Sequence, residues 1–208
     1  MRKLISELKI LKDGDINQEI NKRISSFEKL RMGSNSDIFR ELCFCLLTAN
    51  YTAEGGIRIQ NSIGDGVLHY TEKRLARTLK MLGHRFPNAR ASYIRSAQRY
   101  RGEIVGILDL FSNDLDLREW LVKNIKGFGY KEASHFMRNI GYKNVAIIDF
   151  HIIDLLSRYG LISRPKTITK SKYFEIERIL DLIARKGEMS LGELDLYLWF
   201  METGKILK

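Results

Sequence analysis

Apolar positions recur at intervals of three and four along most of the chain, and the strict alternation of a half-buried strand is scarce. The densest apolar run, residues 37–49, predicts a helix carrying Ile38, Phe39, Leu42, Phe44, Cys45, Leu46 and Leu47. A second helix is predicted over 71–82, where Leu75, Leu79 and Leu82 form a broken stripe that stops at Gly83. Pro87 suits a first helical position, and Ala91, Ile94 and Ala97 carry that helix on to Tyr100. Asp114 or Asp116 is placed to cap a short helix containing Leu117, Trp120 and Leu121. Helices over 130–140 and 149–159 each run into a glycine, Gly141 and Gly160. Beyond the Ser163-Arg164-Pro165 linker, Tyr173, Ile176, Ile179, Leu180 and Ile183 share one face of a helix over 171–185. Ser190 and Glu193 are spaced as a capping box for a last helix ending near Glu202 and Gly204. There is no internal repeat and no low-complexity segment, so the pattern predicts an all-α chain.

Between two of these helices lies Ile125-Lys126-Gly127-Phe128-Gly129-Tyr130-Lys131. Glycines one residue apart permit positive φ and a close approach of the backbone to a neighbour. Consecutive free N–H groups, together with the unpaired amides of the next helix, would form a phosphate-binding concavity. Ile125 and Phe128 can wedge the two helices together, and Lys126 can add charge. The glycines alone fit an ordinary αα-turn equally well. Lys131 adds chemistry, because it falls in the first turn of the following helix. The dipole there disfavours a cation by about 0.3–1 kcal/mol, and partial desolvation in a cleft favours the neutral amine further. Such an amine can attack a sugar carbon. Eighteen residues later, four apolar residues, Val145 to Ile148, deliver Asp149 to a helix start. Asp149 suits a helix cap there, and it also suits stabilising a developing positive charge or taking a proton from Lys131.

The rest of the composition narrows the partners. The 208 residues hold 35 Lys+Arg against 25 Asp+Glu, a formal charge of +10, which favours a polyanion and nucleic acid first. No apolar run reaches the roughly 18–20 residues of a membrane span, and the start, MRKLISELKI, lacks the apolar core of a signal peptide. A cytoplasmic protein is expected. Cys43 and Cys45 cannot complete a four-ligand zinc or iron–sulfur site and are expected to be buried thiols. His135 and His151 read as structural, with no metal triad.

The hairpin, Lys131 and the Ile148-Asp149-Phe150-His151 segment together resemble the helix-hairpin-helix plus Gly/Pro-Asp motif of the endonuclease III superfamily. That resemblance implies a two-lobed fold with its active site in the cleft between lobes. It makes Lys131 the Schiff-base nucleophile and Asp149 the essential carboxylate, with residues 125–129 gripping the DNA backbone. Phe150 departs from the small residue usual there, and the four C-terminal cluster cysteines of many members are absent. Asn50, in Leu47-Thr48-Ala49-Asn50-Tyr51, matches the position that fills the gap left by a flipped base, although Asn also suits a helix C-cap. The segments around residues 83–91 and 197–208 are similar to the archaeal-type, second family of 8-oxoguanine DNA glycosylases, in which the C-terminal lysine reaches the base pocket. Lys208 matches that lysine, and Trp199 and Phe86 become candidates for stacking on the extruded base or its partner.

The expectation is therefore one unit of 208 residues, with lobe A over about 35–130 and lobe B over about 1–34 plus 131–208. It would excise 8-oxoguanine from double-stranded DNA as a monomer and nick abasic sites. No cofactor is required and no iron–sulfur cluster is expected, although a monovalent or divalent cation could sit at the hairpin. Two other readings stay open: a glycosylase for oxidised pyrimidines, and a non-catalytic helix-hairpin-helix module that binds DNA.

Overall fold

The computed structural model describes residues 1–208 and contains thirteen α-helices, one 3₁₀ turn and no strand. The helices are α1 (Arg2–Asp13), α2 (Ile16–Arg31), α3 (Asn35–Thr48), α4 (Ala53–Ile63), α5 (Gly66–His69), α6 (Glu72–Met81) and α7 (Pro87–Ala97). There follow α8 (Ile104–Asp109), α9 (Asp114–Asn124), α10 (Tyr130–Asn139), α11 (Phe150–Arg158), α12 (Lys170–Lys186) and α13 (Leu191–Thr203). No helix is long and apolar enough to cross a membrane.

Local chemistry sets the helix ends. Ser34 caps α3 in a reciprocal box with Asp37, so that helix starts two residues before the apolar run suggests. The cap of α9 is Asn113, whose side chain accepts from the Leu115 N–H; Asp114 and Asp116 instead occupy the first turn, where their charge complements the dipole. At α13 the box is one-sided, with Ser190 accepting from the Glu193 N–H at 3.1 Å and no bond returned. Helices α1, α2, α4, α5 and α8 have no counterpart in the pattern reading. The glycine pair in Ala53–Ile63 obscures its stripe, and α5 and α8 run for only four and six residues.

Two hydrophobic clusters organise these helices. The first gathers 28 buried residues between Ile38 and Val145 around α3, whose ten buried positions make it the central helix. The second gathers 20 residues from α1, α2, α11, α12 and α13 and from the connector before α11. Helix α10, which the sequence groups with the second lobe, sends Ala133, Phe136 and Met137 into the first cluster, joined by its C-cap Ile140. The change falls within the connector after α10, with Val145 in the first cluster and Ala146 in the second. Cys43 and Cys45 are buried and unpaired, and burial pushes both thiols up.

Candidate active site

A cleft of about 840 Å³ is lined by residues from both clusters. Its wall takes Asn50 and Thr52 from the α3–α4 turn, and Lys131 and His135 from α10. Asp149 and His151 enter from the start of α11, Asp195 and Trp199 from α13, and Lys205 and Lys208 from the tail.

The hairpin sits beside that wall. Gly127 holds φ +94°, and a Cβ there would overlap the ring of Tyr93, so a residue without a side chain is required. Gly129 is extended (φ −103°) and serves as the N-cap of α10, so only one of the two glycines uses left-handed freedom. The Phe128 N–H closes the turn on the Ile125 carbonyl at 3.0 Å. Ile125 and Phe128 point inward, 1% and 7% exposed, so they shape the hairpin from within. Lys126 is exposed, its ammonium 5.7 Å from the centre of the Tyr93 ring. The N–H groups of Lys126, Gly127, Tyr130 and Lys131 have no acceptor within the chain, while that of Gly129 donates to Glu132 Oε2 at 3.2 Å. Free amides at a helix start make an anion cradle, with one carboxylate on its edge.

Lys131 stands in the first turn of α10, its side chain 27% exposed, with Glu132 Oε1 4.0 Å away. The following connector, Val145 to Ile148, is fully buried. Its main chain is held from both sides: Glu177 Oε1 accepts from the Ala146 N–H at 2.9 Å, and the Tyr173 hydroxyl donates to the Ala146 carbonyl at 2.7 Å. Arg118 grips Glu177 in two parallel bonds of 2.5 and 2.7 Å and also reaches Ser134 Oγ at 3.1 Å. A buried bidentate pair of this kind supplies geometry more than net stability. At the connector's end Asp149 caps α11, one oxygen accepting from the Ile152 N–H at 3.0 Å, and the other takes no hydrogen bond from the protein.

Two further charged residues share the wall. Burial pushes the Asp195 carboxyl up to about 6; Arg138 opposes the shift and Asp149 adds to it. Arg138 Nη1 lies 3.4 Å from Asp195 Oδ2 but forms no hydrogen bond, and that loose geometry explains why its charge does not restore an ordinary carboxylate. Burial likewise holds the His135 imidazole well below its usual range, and the cations of Arg138 and Lys131 push the same way. His135 packs edge-on against Phe44 at 5.8 Å. His151 is exposed and meets Trp199 edge to face, 4.9 Å between centroids, so it dresses the cleft wall rather than the core. No group of three or more His, Cys, Asp or Glu side chains converges as a metal cluster.

Asn50 is exposed at φ +55°, just beyond α3, a conformation Asn tolerates better than most residues. The turn that presents it is held by side chains the sequence reading passed over. His84 Nε2 bonds the Leu47 carbonyl at 2.9 Å, and Arg90 donates to the Ala49 carbonyl. Phe86 does not line the cleft. It caps α7, 38% exposed, with the guanidinium carbons of Arg85 and Arg90 at 5.0 and 5.9 Å from its ring centre, and Arg85 takes the place in the wall. Trp199 is half-buried in the wall, its indole N–H shielded from solvent and without a partner. Lys208 also lines the wall, and its ammonium donates to Glu41 Oε2 and Gln60 Oε1 at 2.7 and 2.6 Å.

An all-helical chain that sets a glycine hairpin beside a cleft, with a lysine and a carboxylate in its wall, has the layout of the helix-hairpin-helix class. The comparisons are more specific. The family model Ogg-HhH, 8-oxoguanine DNA glycosylase, matches residues 20–189. A relative from Methanocaldococcus jannaschii, named 8-oxoguanine DNA glycosylase/AP lyase, is 52% identical over 206 residues, 99% of each chain. One of the same name from Korarchaeum cryptofilum is 50% identical over 206 residues, 99% of this chain and 98% of that one. The crystal structure of the Methanocaldococcus jannaschii 8-oxoguanine glycosylase/lyase in complex with DNA containing 8-oxoguanine superimposes with a TM-score of 0.96. Its sequence is 51% identical, and the match covers 99% of this chain and 100% of that one. The chain belongs to the Ogg-HhH family, the 8-oxoguanine DNA glycosylases.

Proposed function

We propose that this protein excises 8-oxoguanine from double-stranded DNA through a Schiff base on Lys131 and then nicks the abasic strand by β-elimination. The observation that carries the reading is the meeting of Lys131 and Asp149 in one cleft wall, in a chain matched end to end by glycosylase/lyase relatives. The damaged nucleotide must leave the stack to reach that wall, at a cost of a few kcal/mol. The hairpin amides hold the backbone while Asn50 fills the gap.

The neutral Lys131 amine attacks C1′, the C1′–N9 bond breaks, and the base leaves as an anion that takes a proton from solvent. The proton that Asp149 takes from the amine passes to O4′ as the ring opens, leaving a protonated imine between Nζ and C1′. The free oxygen of Asp149 faces the positive charge that grows at C1′ and accepts the proton the amine gives up. Loss of the C2′ proton then drives elimination of the 3′ phosphate, and hydrolysis frees the lysine. No metal or organic cofactor enters these steps, and a cation at the hairpin would serve only the grip on phosphate.

Base choice rests on one atom. Oxidation converts guanine N7 from acceptor to N–H donor, so a main-chain oxygen of Lys208 prefers the lesion and leaves a clash with guanine. Trp199 offers a face for stacking the base, and Phe86, outside the wall, suits the partner strand. We assign the protein to the cytoplasm, acting on the nucleoid as a monomer.

Borohydride trapping tests the proposal. The protein should form a covalent adduct with duplex DNA containing 8-oxoguanine and much less with thymine glycol, and Lys131→Gln should abolish it. A fully trapped Lys131→Gln adduct sinks the nucleophile assignment; preference for thymine glycol sinks the substrate.

A further inference from the structure

Glu41 is a buried carboxylate, 3% exposed, in α3, the central helix of the first cluster. One of its oxygens accepts from Asn139 Nδ2 of α10 at 2.6 Å, and the other faces the Lys208 ammonium at 2.7 Å. Gln60 Oε1 of α4 takes a second bond from that ammonium, and the Phe44 ring lies 4.2 Å beneath it. Three helices of the first cluster thus build a polar socket with an aromatic floor, shaped for one ammonium group. The residue that fills it comes from the opposite side, since the tail leaves α13 of the second cluster through Gly204 at φ +67°. Lys205 ties the same tail to Glu54 of α4 at 2.7 Å, exposed and weaker.

We infer that Glu41 is a positioning residue for lesion discrimination: it fixes the Lys208 ammonium and so holds that residue's main chain at the cleft wall. The inference rests on the base-reading role proposed for Lys208. A buried carboxylate held only for stability would not need the tail, because Asn139 already satisfies one oxygen and a neutral side chain would spare the desolvation. The socket is instead completed by a group 167 residues away.

The test compares excision of 8-oxoguanine with excision of guanine from otherwise identical duplexes. Glu41→Gln should lower that ratio by roughly tenfold or more, while cleavage of a preformed abasic site stays at the wild-type rate. Lys208→Met, which keeps the main chain and removes only the ammonium, should lower the ratio equally and guards against a misfolded Glu41 variant. Removal of Lys208 altogether should lower it as well, and Glu41→Gln should add nothing on that background. If the truncation lowers the ratio but both Glu41→Gln and Lys208→Met keep it, the socket is irrelevant and the inference is overturned alone. If the truncation itself leaves the ratio unchanged, the Lys208 reading fails and the inference falls with it.

Discussion

The hairpin side of the cleft and the tail side are built on opposite plans. Lys131 and Asp149 are placed first by determinants close to them in sequence: a glycine turn, a helix start and a cap. The connector before Asp149 is braced by Tyr173 and Glu177, 27 and 31 residues from Ala146. Lys208 is placed by Glu41 and Gln60, 167 and 148 residues away. The proposed bond-breaking groups thus sit on short, locally determined elements, and the proposed base reader hangs from distant ones. The expected consequence is that chemistry and selectivity can be damaged separately.

Mutations can sharpen or break that contrast. The largest effect is expected for Lys131→Gln, which should reduce strand cleavage by on the order of 10⁴-fold without changing protein stability, read by gel assay and chemical denaturation. Next comes Arg118→Ala, which strands the Glu177 carboxylate behind the connector and should cost about 3–5 kcal/mol of unfolding free energy. If it proves neutral in chemical denaturation, the pair is not what fixes Asp149.

Asp195 tests the seam between the two sides, because it faces Arg138, Lys131 and Asp149. Burial raises its carboxyl from an ordinary 3.8 to about 6 when folded, so the folded state binds the proton more tightly. The stability it contributes is full below 3.8 and is lost as pH rises through about 6. Asp195→Asn, neutral throughout, should lack that decline. The difference between variant and wild-type unfolding free energies should grow by about 2–3 kcal/mol from pH 4 to 7; a flat difference would contradict the burial argument. The smallest effect is expected at the turn. Gly127→Ala should cost about 1–3 kcal/mol in strain and weaken binding to an abasic-site duplex, whereas Gly129→Ala should do far less.

The same division decides what the sequence makes legible. The hairpin, Lys131 and Asp149 could be located by spacing, since each signal lies within a turn or two of the residue it places. Helix type is readable where the apolar run is dense, as in α3. It is missed for α1, α2 and α4, whose stripes are interrupted by polar residues or glycines, and for α5 and α8, too short to show a period. The cap of α9 is Asn113 and neither Asp114 nor Asp116: all three residues suit a cap, and only backbone geometry chooses among them. Glu41, Arg138 and Asp195 stood in plain view as charges beside apolar neighbours. Their partners lie on other helices, so the pattern held no clue to what they meet. His84 and Arg90 were silent for the same reason, since they bond carbonyls 37 and 41 residues earlier.

The socket also has a consequence in time. On the ribosome, Lys208 is added 167 residues after Glu41 and 148 after Gln60. At about 5–20 residues per second, that interval lasts roughly ten seconds or more. In the later part of it, once residues 130–139 have been made, α3, α4 and α10 can pack before the ammonium that their side chains face exists. Under the roles proposed above, the contact that serves selectivity can close only after the nucleophile has been made.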